Sequence, residues 1–185
     1  MTYQVTPTRI PDVLVLEPRV FGDERGHFFE SFNERDFWNA VGQEIRFVQD
    51  NQSRSTRNVL RGLHYQDPHP QGKLVRVLSG AVFDVAVDIR SDSPTFGAWV
   101  GLELTGENKL QLWLPPGIAH GFLVLSDIAD FHYKTTDYWH PECERVIRWN
   151  DPEIGITWPL RGEPTIGQKD STGPYSKITR NTPCT

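Results

Sequence analysis

The chain has 185 residues, a net charge of −5 and 37% hydrophobic residues, which suits one soluble domain with a buried core. Its basic residues are spread along the sequence, so nucleic acid is not an expected partner. No window approaches the roughly 18 apolar residues of a membrane span, and the N-terminus lacks the pattern of a signal peptide. Two cysteines, Cys143 and Cys184, are too few for a disulfide framework. We therefore expect a cytoplasmic protein that does not contact membranes.

The N-terminal third predicts one short strand and one helix. The apolar stretch VLVLE at 13–17 suits an edge strand. The stretch SFNERDFWNAVG at 31–42 predicts a helix that begins after Ser31 or Asn33 as the N-cap and ends at Gly42. The apolar stripe of this helix consists of Phe37, Trp38 and Val41.

The middle of the chain alternates between apolar and polar residues in short segments. The period of two that is typical of strands appears in four segments: 80–90, 99–105, 108–117 and 127–139. Turn residues separate these segments, and Pro115 and Pro116 end one of them. Because many short strands at this spacing indicate a sandwich or barrel, we expect an all-β fold, an antiparallel jelly roll with a few short helices. Residues 1–185 are predicted to form one domain, with a turn-rich C-terminal arm at about 160–185.

A metal site is the first chemical hypothesis that the sequence invites. The stretch PPGIAHGF at 115–122 resembles the second signature of metal-binding cupin jelly rolls and places His120 at a ligand position. The first signature is broken, because Lys73 stands where a carboxylate ligand is required and Gln66 stands where a second histidine is required. A fixed ammonium disfavours a divalent cation. We therefore expect no metal in this pocket.

Proton transfer is the alternative that the same residues support. The segment NVLRGLHYQDPHPQGKLVRV at 58–77 places Arg61, His64 and Lys73 at the approach to a strand. Histidine is the side chain that exchanges protons most readily near neutral pH. A lysine in a pocket can stabilise an enolate oxygen, and Tyr133 could return a proton from the opposite side. These groups suffice to remove a proton next to a carbonyl.

Six stretches together resemble one family. In chain order they are FGDERGHFFESF, FVQDNQSRS, LRGLHYQ, PPGIAHGFLVLSD, YKTTDYW and RVIRWNDPEIGITWP. Their order and spacing are similar to those of the dTDP-4-dehydrorhamnose 3,5-epimerases, which are cupin-like enzymes, and the resemblance covers roughly residues 3–175. It implies inversion of C3 and C5 in dTDP-4-dehydro-6-deoxy-D-glucose to give dTDP-4-dehydro-L-rhamnose. It also implies that the enzyme needs no cofactor and is a homodimer that exchanges an N-terminal strand.

The resemblance assigns a role to each candidate residue. His64 would be the general base, Tyr133 the general acid, and Lys73 the group that stabilises the enolate. Asp170 would orient His64 and favour its protonated form. The positions that match the substrate contacts of the family are Arg25, Glu30, Gln49, Asn51, Arg61, Lys73, His120, Tyr138, Glu144 and Lys169. Among them, Arg61 suits a pyrophosphate and Tyr138 suits stacking on thymine.

Several alternatives remain open at this point. A mono-epimerase that inverts only C3 or only C5 would share nearly all of these motifs. A metal-dependent cupin and a non-catalytic dTDP-sugar binding module are two further possibilities. The sequence also departs from the family at His132, which the alternation turns away from Tyr133, and at His69, an extra ionisable group in the loop that follows His64.

Overall fold

The computed structural model describes residues 3–176 as two large antiparallel sheets with a small hairpin and short helices. The strands are β1 (Gln4–Pro7), β2 (Leu14–Glu17), β3 (Phe21–Asp23), β4 (Gly26–Phe28), β5 (Gln49–Thr56), β6 (Val59–Gln66), β7 (Lys73–Ser79), β8 (Ala81–Asp88), β9 (Trp99–Thr105), β10 (Gln111–Leu114), β11 (Ile118–Val124), β12 (Ile128–Thr135), β13 (Glu144–Val146) and β14 (Thr165–Ile166). The helices are α1 (Glu34–Val41) and α2 (Gln168–Thr172), with a 3-10 turn at Pro141–Cys143.

Each large sheet interleaves strands that are distant in sequence. Sheet I has the order β1-β2-β10-β7-β12-β5, and sheet II has the order β13-β6-β11-β8-β9. Strand β14 adds to β6 in parallel, whereas the other ladders are antiparallel. Strands β3 and β4 form a separate hairpin. This architecture confirms the predicted all-β, cupin-like jelly roll.

Three apolar clusters form layers around the two sheets. The first lies between them and joins residues of β7, β10 and β12 to residues of β8, β9 and β11. The second covers the outer face of sheet II with Ile147, Ile154 and Trp158. The third covers the outer face of sheet I, where Phe37 of α1 packs against Leu74 and Trp113. Side chains on both faces of the central strands are therefore buried, which leaves one end of the space between the sheets for polar groups.

Helix α1 forms where the sequence predicts it. The Asn33 side chain accepts a hydrogen bond from the Asp36 N–H at 3.2 Å and so caps the first turn. Gly42 ends the helix in the left-handed conformation, with φ of 76°, and its N–H donates to the Trp38 carbonyl. Of the two predicted N-caps, Asn33 is therefore the residue used.

A close approach of β6 and β11 requires glycine. A Cβ on Gly62 would lie 2.6 Å from the Gly121 Cα, and Gly62 has a φ of +113°. The register of the ladder shifts between His120 and Phe122, on either side of Gly121. Because neither glycine carries a side chain, the two strands come together here and place His64 opposite His120.

The N-terminal strand differs from the prediction. The stretch VLVLE was expected at a sheet edge, but β2 lies inside sheet I between β1 and β10. The edge is β1, whose residues are exposed. The prediction was wrong because Gln4–Pro7 lacks a strong apolar pattern, yet its backbone pairs with β2 in register from Gln4 opposite Glu17.

The C-terminal part of the chain lies beside β6. Strand β14 and helix α2 occupy the first half of the predicted arm, and residues 177–185 of that arm, with Cys184, lie outside the described residues. Cys143 is a buried free thiol. Between residues 3 and 176, no helix is long and apolar enough to cross a membrane.

Candidate active site

A cavity of about 560 Å³ opens at one end of the space between the sheets. Its walls come from β5, β6, β7, β11, β12 and β13, with the segment after β12 at the rim. Nine of the predicted site residues line it: Gln49, Asn51, Arg61, His64, Lys73, His120, Tyr133, Tyr138 and Glu144. Ligand pockets typically occupy 300–1,000 Å³, so a nucleotide sugar is of suitable size for this cavity.

His64 is bonded to a carboxylate from the C-terminal arm. Its Nε2 lies 2.6 Å from Oδ1 of Asp170 on α2. The other carboxylate oxygen accepts the N–H of Gly62 at 3.2 Å. Because Nε2 is engaged in this way, Nδ1 is the ring nitrogen left for proton transfer. The two residues were predicted as a pair, and the structure brings them together.

The ionisation of Asp170 depends on opposing effects. Burial disfavours the carboxylate, but the hydrogen bond and charge of His64 outweigh this effect and lower the pKa of Asp170. The Gly62 N–H and the nearby Lys169 act in the same direction. Asp170 is therefore ionised near neutral pH and can stabilise a positive charge on His64.

Lys73 is buried at the inner wall of the cavity. Its Nζ donates to the His64 carbonyl at 3.4 Å. Burial lowers the pKa of Lys73 to about 8, although the negative charges of Asp84 and Glu144 act in the opposite direction. The ammonium form therefore persists at neutral pH, in an environment that has little water to screen it. Such a group stabilises a negative oxygen more strongly than a solvated lysine would.

Tyr133 lies on β12 and also lines the cavity. Burial raises the pKa of Tyr133, the charge of Glu144 raises it further, and Arg61 opposes both. The phenol therefore keeps its proton near neutral pH and can donate it. As the alternation predicts, Phe131 shares the cavity face with Tyr133, whereas His132 lies on the outer face of sheet I, 3.5 Å from Asp50.

A second histidine–aspartate pair lies deeper in the same cavity. His120 Nε2 is 2.9 Å from Oδ2 of Asp84, and both side chains are almost completely buried. Sequence reasoning identified His120 but missed Asp84. The available signal was the face of β8 that carries Asp84, Ala86 and Asp88. That face points between the sheets, while the apolar face with Val85 and Val87 packs on the outside.

Positive and negative groups alternate at the cavity mouth. Arg61 donates to the Ser55 hydroxyl at 3.0 Å, and among residues 3–176 it makes no ion pair. Glu144 pairs with Lys169 of α2. Burial opposes the ionisation of Glu144, but Lys169, His64 and the Trp139 indole N–H together lower its pKa. Arg61 is thus available for an anion.

The rim presents two neighbouring aromatic rings. The side chains of Tyr138 and Trp139 are more than half exposed and line the cavity. The Gln49 side chain accepts the Trp139 N–H at 3.1 Å and donates to Asn51 at 3.0 Å. Sequence reasoning identified Tyr138 but missed Trp139, although two consecutive aromatic residues directly after a strand were the available signal. It also missed Gln66 and Gln71, which line the same wall.

Three predicted substrate contacts are not part of the cavity wall; Lys169 pairs with Glu144 of that wall, whereas Arg25 and Glu30 lie away from the cavity of this chain. Arg25 is in the turn of the β3–β4 hairpin, its side chain is 86% exposed, and it pairs with Asp23 at 2.6 Å. Glu30 follows β4 and is also not part of the cavity wall. The folded single chain therefore does not bring these two residues to the other candidates.

The cavity is a poor metal site by its donor chemistry. His64 and His120 each already share a nitrogen with a carboxylate, and the ammonium of Lys73 lies beside His64. A cation placed there would meet this positive charge. Within residues 3–176, three donor groups approach within 4.8 Å of one another at His69, Asp137 and His140, which are not part of the cavity wall.

Comparisons with known proteins agree with this geometry. The family model for dTDP-4-dehydrorhamnose 3,5-epimerase matches residues 7–177. The Pseudomonas aeruginosa dTDP-4-dehydrorhamnose 3,5-epimerase is 61% identical over 170 residues, covering 92% of this chain and 94% of that protein. A Streptomyces niveus dTDP-4-dehydrorhamnose 3-epimerase is 38% identical, covering 90% of this chain and 81% of the relative.

A solved structure gives the same result for the fold. The Legionella pneumophila dTDP-6-deoxy-D-glucose-3,5-epimerase, in complex with dTDP-4-keto-L-rhamnose, superimposes with a TM-score of 0.92 at 54% identity. The match covers 94% of this chain and 92% of that one. Sequence, fold and cavity thus lead to one assignment: the chain belongs to the dTDP-4-dehydrorhamnose 3,5-epimerase family.

Proposed function

We propose that this protein inverts both C3 and C5 of dTDP-4-dehydro-6-deoxy-D-glucose and releases dTDP-4-dehydro-L-rhamnose. The C4 ketone makes the hydrogens on both neighbouring carbons acidic, so one base and one oxyanion site can act on each carbon in turn. The ketone itself accepts the electron pair as an enolate. The reaction therefore needs no cofactor and no metal.

In this mechanism each group of the cavity has one role. His64 Nδ1 removes the proton, and the carboxylate of Asp170 stabilises the imidazolium that forms. Lys73 stabilises the enolate oxygen. Tyr133 returns a proton to the opposite face of the carbon, which inverts the centre. The observation that carries this proposal is that His64, bonded to Asp170 at 2.6 Å, lines the same cavity as Lys73 and Tyr133.

The outer part of the cavity suits the nucleotide. Arg61 can donate two parallel hydrogen bonds to the pyrophosphate, and the exposed ring of Tyr138 can stack on thymine. The groups that would contact the sugar and the remaining nucleotide atoms are Gln49, Asn51, His120, Glu144 and Lys169. Of these, Lys169 acts through its ion pair with Glu144 at the cavity wall.

A mono-epimerase is the second candidate, because the 38% identical Streptomyces niveus relative is a 3-epimerase. Proton NMR of the keto-sugar substrate in heavy water, with chelator-treated protein, distinguishes the double epimerase from the mono-epimerase. Deuterium at both C3 and C5, with formation of the L-configured product, is the result that our proposal requires. Deuterium at one carbon alone would identify a mono-epimerase. No deuterium at either carbon would favour a binding module.

A homodimer would explain the position of Arg25. The β3–β4 hairpin exposes the apolar side chains of Phe21 and Phe28, and β1 is an open edge of sheet I. Pairing of two chains at this edge would cover the apolar surface and extend the hairpin toward a neighbouring cavity. We infer that Arg25 and Glu30 contact substrate in the cavity of the partner chain.

Mixed dimers test this arrangement. Dimers of one Arg25→Ala chain and one His64→Asn chain retain one complete cavity if Arg25 serves the partner, because both defects then fall in the same site. Activity near half of the wild-type value supports a contribution of Arg25 to the cavity of the partner chain. Activity near half of that of the Arg25→Ala homodimer contradicts it, as does a monomeric mass in light scattering.

The remaining assignments follow from this function. We propose that residues 1–185 act as one cupin-like epimerase domain, since the C-terminal arm supplies Asp170 to the cavity of the sheets. The substrate is a soluble nucleotide sugar, and we place the enzyme in the cytoplasm. Nucleic acid and membranes are not partners in this proposal.

A further inference from the structure

Two histidines and an aspartate that the proposed reaction does not use lie together beside the rim. His69 Nδ1 is 3.3 Å from Oδ2 of Asp137, and His140 Nε2 is 3.9 Å from Oδ1 of the same carboxylate. The two imidazole rings stack with their centroids 4.4 Å apart. One ligand atom from each of the three residues lies within 4.8 Å of the others. The side chains come from two segments that are about 70 positions apart in the chain.

A buried amide fixes the backbone of both segments. Gln66 donates from Nε2 to the carbonyls of His69 and Tyr138, at 2.8 and 3.2 Å. Its Oε1 accepts the N–H of His140 at 2.8 Å. The Gln71 side chain donates to the Asp137 carbonyl at 2.9 Å. The main-chain positions of the three residues are therefore set by hydrogen bonds that are independent of their side chains.

The donor set and its spacing suit a zinc-type ion. Tetrahedral zinc with bonds of about 2.0–2.2 Å places its nitrogen and oxygen ligands about 3.3–3.6 Å apart. The distance of 3.3 Å from His69 to Oδ2 of Asp137 already has this value, and His140 lies 3.9 Å from the other oxygen, Oδ1, of the same carboxylate. Because 52% of the His69 side chain is exposed, its ring has space to turn away from the stacked orientation.

A second carboxylate lies near His140. The His140 Nδ1 is 3.7 Å from Oε1 of Glu142, and 72% of the Glu142 side chain is exposed. Histidine ligands of metals commonly donate their second N–H to a carboxylate, and a small movement of Glu142 would bring it to hydrogen-bond distance.

From this geometry we propose that His69, Asp137 and His140 form a binding site for a divalent transition metal of the zinc type, separate from the catalytic cavity. Two imidazoles and one carboxylate bind Zn²⁺, Co²⁺ or Ni²⁺ in preference to Mg²⁺ or Ca²⁺. Water completes the coordination. The bound ion cross-links the loop after β6 to the segment after β12, which carries the rim residues Tyr138 and Trp139.

The test is a titration of untagged, chelator-treated protein with ZnCl2 by calorimetry, repeated with CoCl2 by visible absorption. Wild-type protein is expected to bind one ion per chain and to give the d–d bands of Co²⁺ with imidazole ligands. His69→Ala and His140→Ala should each weaken binding by at least about tenfold. Excess Mg²⁺ should not displace the ion.

His132→Asn is the matched control, because His132 also lies beside a carboxylate but has no second imidazole. It should bind Zn²⁺ as the wild type does. Zinc should also raise the melting temperature of the wild type and of His132→Asn, but not that of His69→Ala. The proposal is overturned if His69→Ala and His140→Ala retain wild-type affinity, or if the wild type shows no binding at Zn²⁺ concentrations of about 100 µM.

Discussion

The two histidine–aspartate pairs of the cavity have the same chemical groups and different surroundings. In the His64–Asp170 pair the histidine side chain is 31% exposed and the carboxylate comes from the C-terminal arm. In the His120–Asp84 pair the side chains are 8% and 0% exposed, and both lie on adjacent strands of sheet II. The first pair is therefore more accessible to a substrate than the second, of which His120 reaches the cavity wall and Asp84 does not.

This difference separates proton transfer from support. A base must exchange its proton with substrate and solvent, which requires access. A buried pair costs desolvation and is destabilising when one partner is removed, so its loss should affect folding first. A histidine–aspartate pair can thus transfer protons where it is accessible and stabilise the fold where it is buried.

The largest expected effect is the fall in kcat when His64, the accessible base, is replaced. His64→Asn should lower kcat by about a thousandfold or more, because the other histidine of the cavity wall, His120, is almost completely buried. Circular dichroism should show an unchanged fold. Steady-state assays of the keto-sugar conversion measure the effect, with His132→Asn on the outer face as the matched control. A kcat within tenfold of the wild type would remove His64 from the mechanism.

Removal of the buried carboxylate should have the largest effect on stability. Asp84→Ala leaves His120 without its partner and should lower the free energy of unfolding by about 3–5 kcal/mol. Urea denaturation measures this change. Asp170→Ala, at the accessible pair, should lose less stability and more activity. If both variants lose the same stability, burial is not what distinguishes the pairs.

Tyr133→Phe should separate the two halves of the proton transfer. Without the phenol proton, product formation should fall by about a hundredfold, while deuterium exchange from solvent should fall less because His64 still removes the substrate proton. The ratio of the two rates, measured by NMR in heavy water, is the readout. Equal losses of exchange and product would argue against Tyr133 as the acid.

Loss of Lys73 should change stability less than loss of Asp84, and with the opposite sign. Its pKa is about 8 in the folded chain, below the ordinary value of 10.5. The folded chain thus binds fewer protons than the unfolded chain between these values, so stability rises as the pH rises through this window and the full cost applies below pH 8. Lys73→Met should raise the free energy of unfolding at pH 7 by about 1–3 kcal/mol and, because the enolate loses its ammonium partner, should also lower turnover.

The pH dependence of the wild type checks the same assignment. Turnover should decline as the pH rises through about 8, where Lys73 loses its proton. Lys73→Arg should keep its charge and remove this decline, although its longer side chain reduces the rate. An unchanged alkaline decline in that variant would show that another group titrates there.

Local patterns were sufficient to predict the fold, but they did not assign strand positions. The period of two in β8 and β12, and the caps of α1, depend on neighbouring residues and were predicted correctly. The internal position of β2 depends on pairing with β1 and β10, which the sequence around VLVLE does not encode. Pairing between distant strands is the property that local periodicity does not contain.

The candidate site shows a similar division. The motifs identified His64, Lys73 and Tyr133, because each lies in a recognisable stretch, and the cavity brings them together. Asp84 was missed because an aspartate on an alternating strand looks like a solvent-facing residue until the second sheet covers it. The position of Arg25 could not be predicted either. The sequence does not show whether an arginine in a hairpin turn reaches the cavity of its own chain or that of a neighbouring chain.

The most direct test of the central claim is deuterium exchange at C3 and C5, resolved by NMR, for His64→Asn and His120→Asn at saturating substrate. His64→Asn should lose exchange at both carbons, while folded His120→Asn should retain exchange at both. Exchange that persists at either carbon in His64→Asn, or that disappears in His120→Asn alone, would contradict the assignment of the accessible pair as the single base.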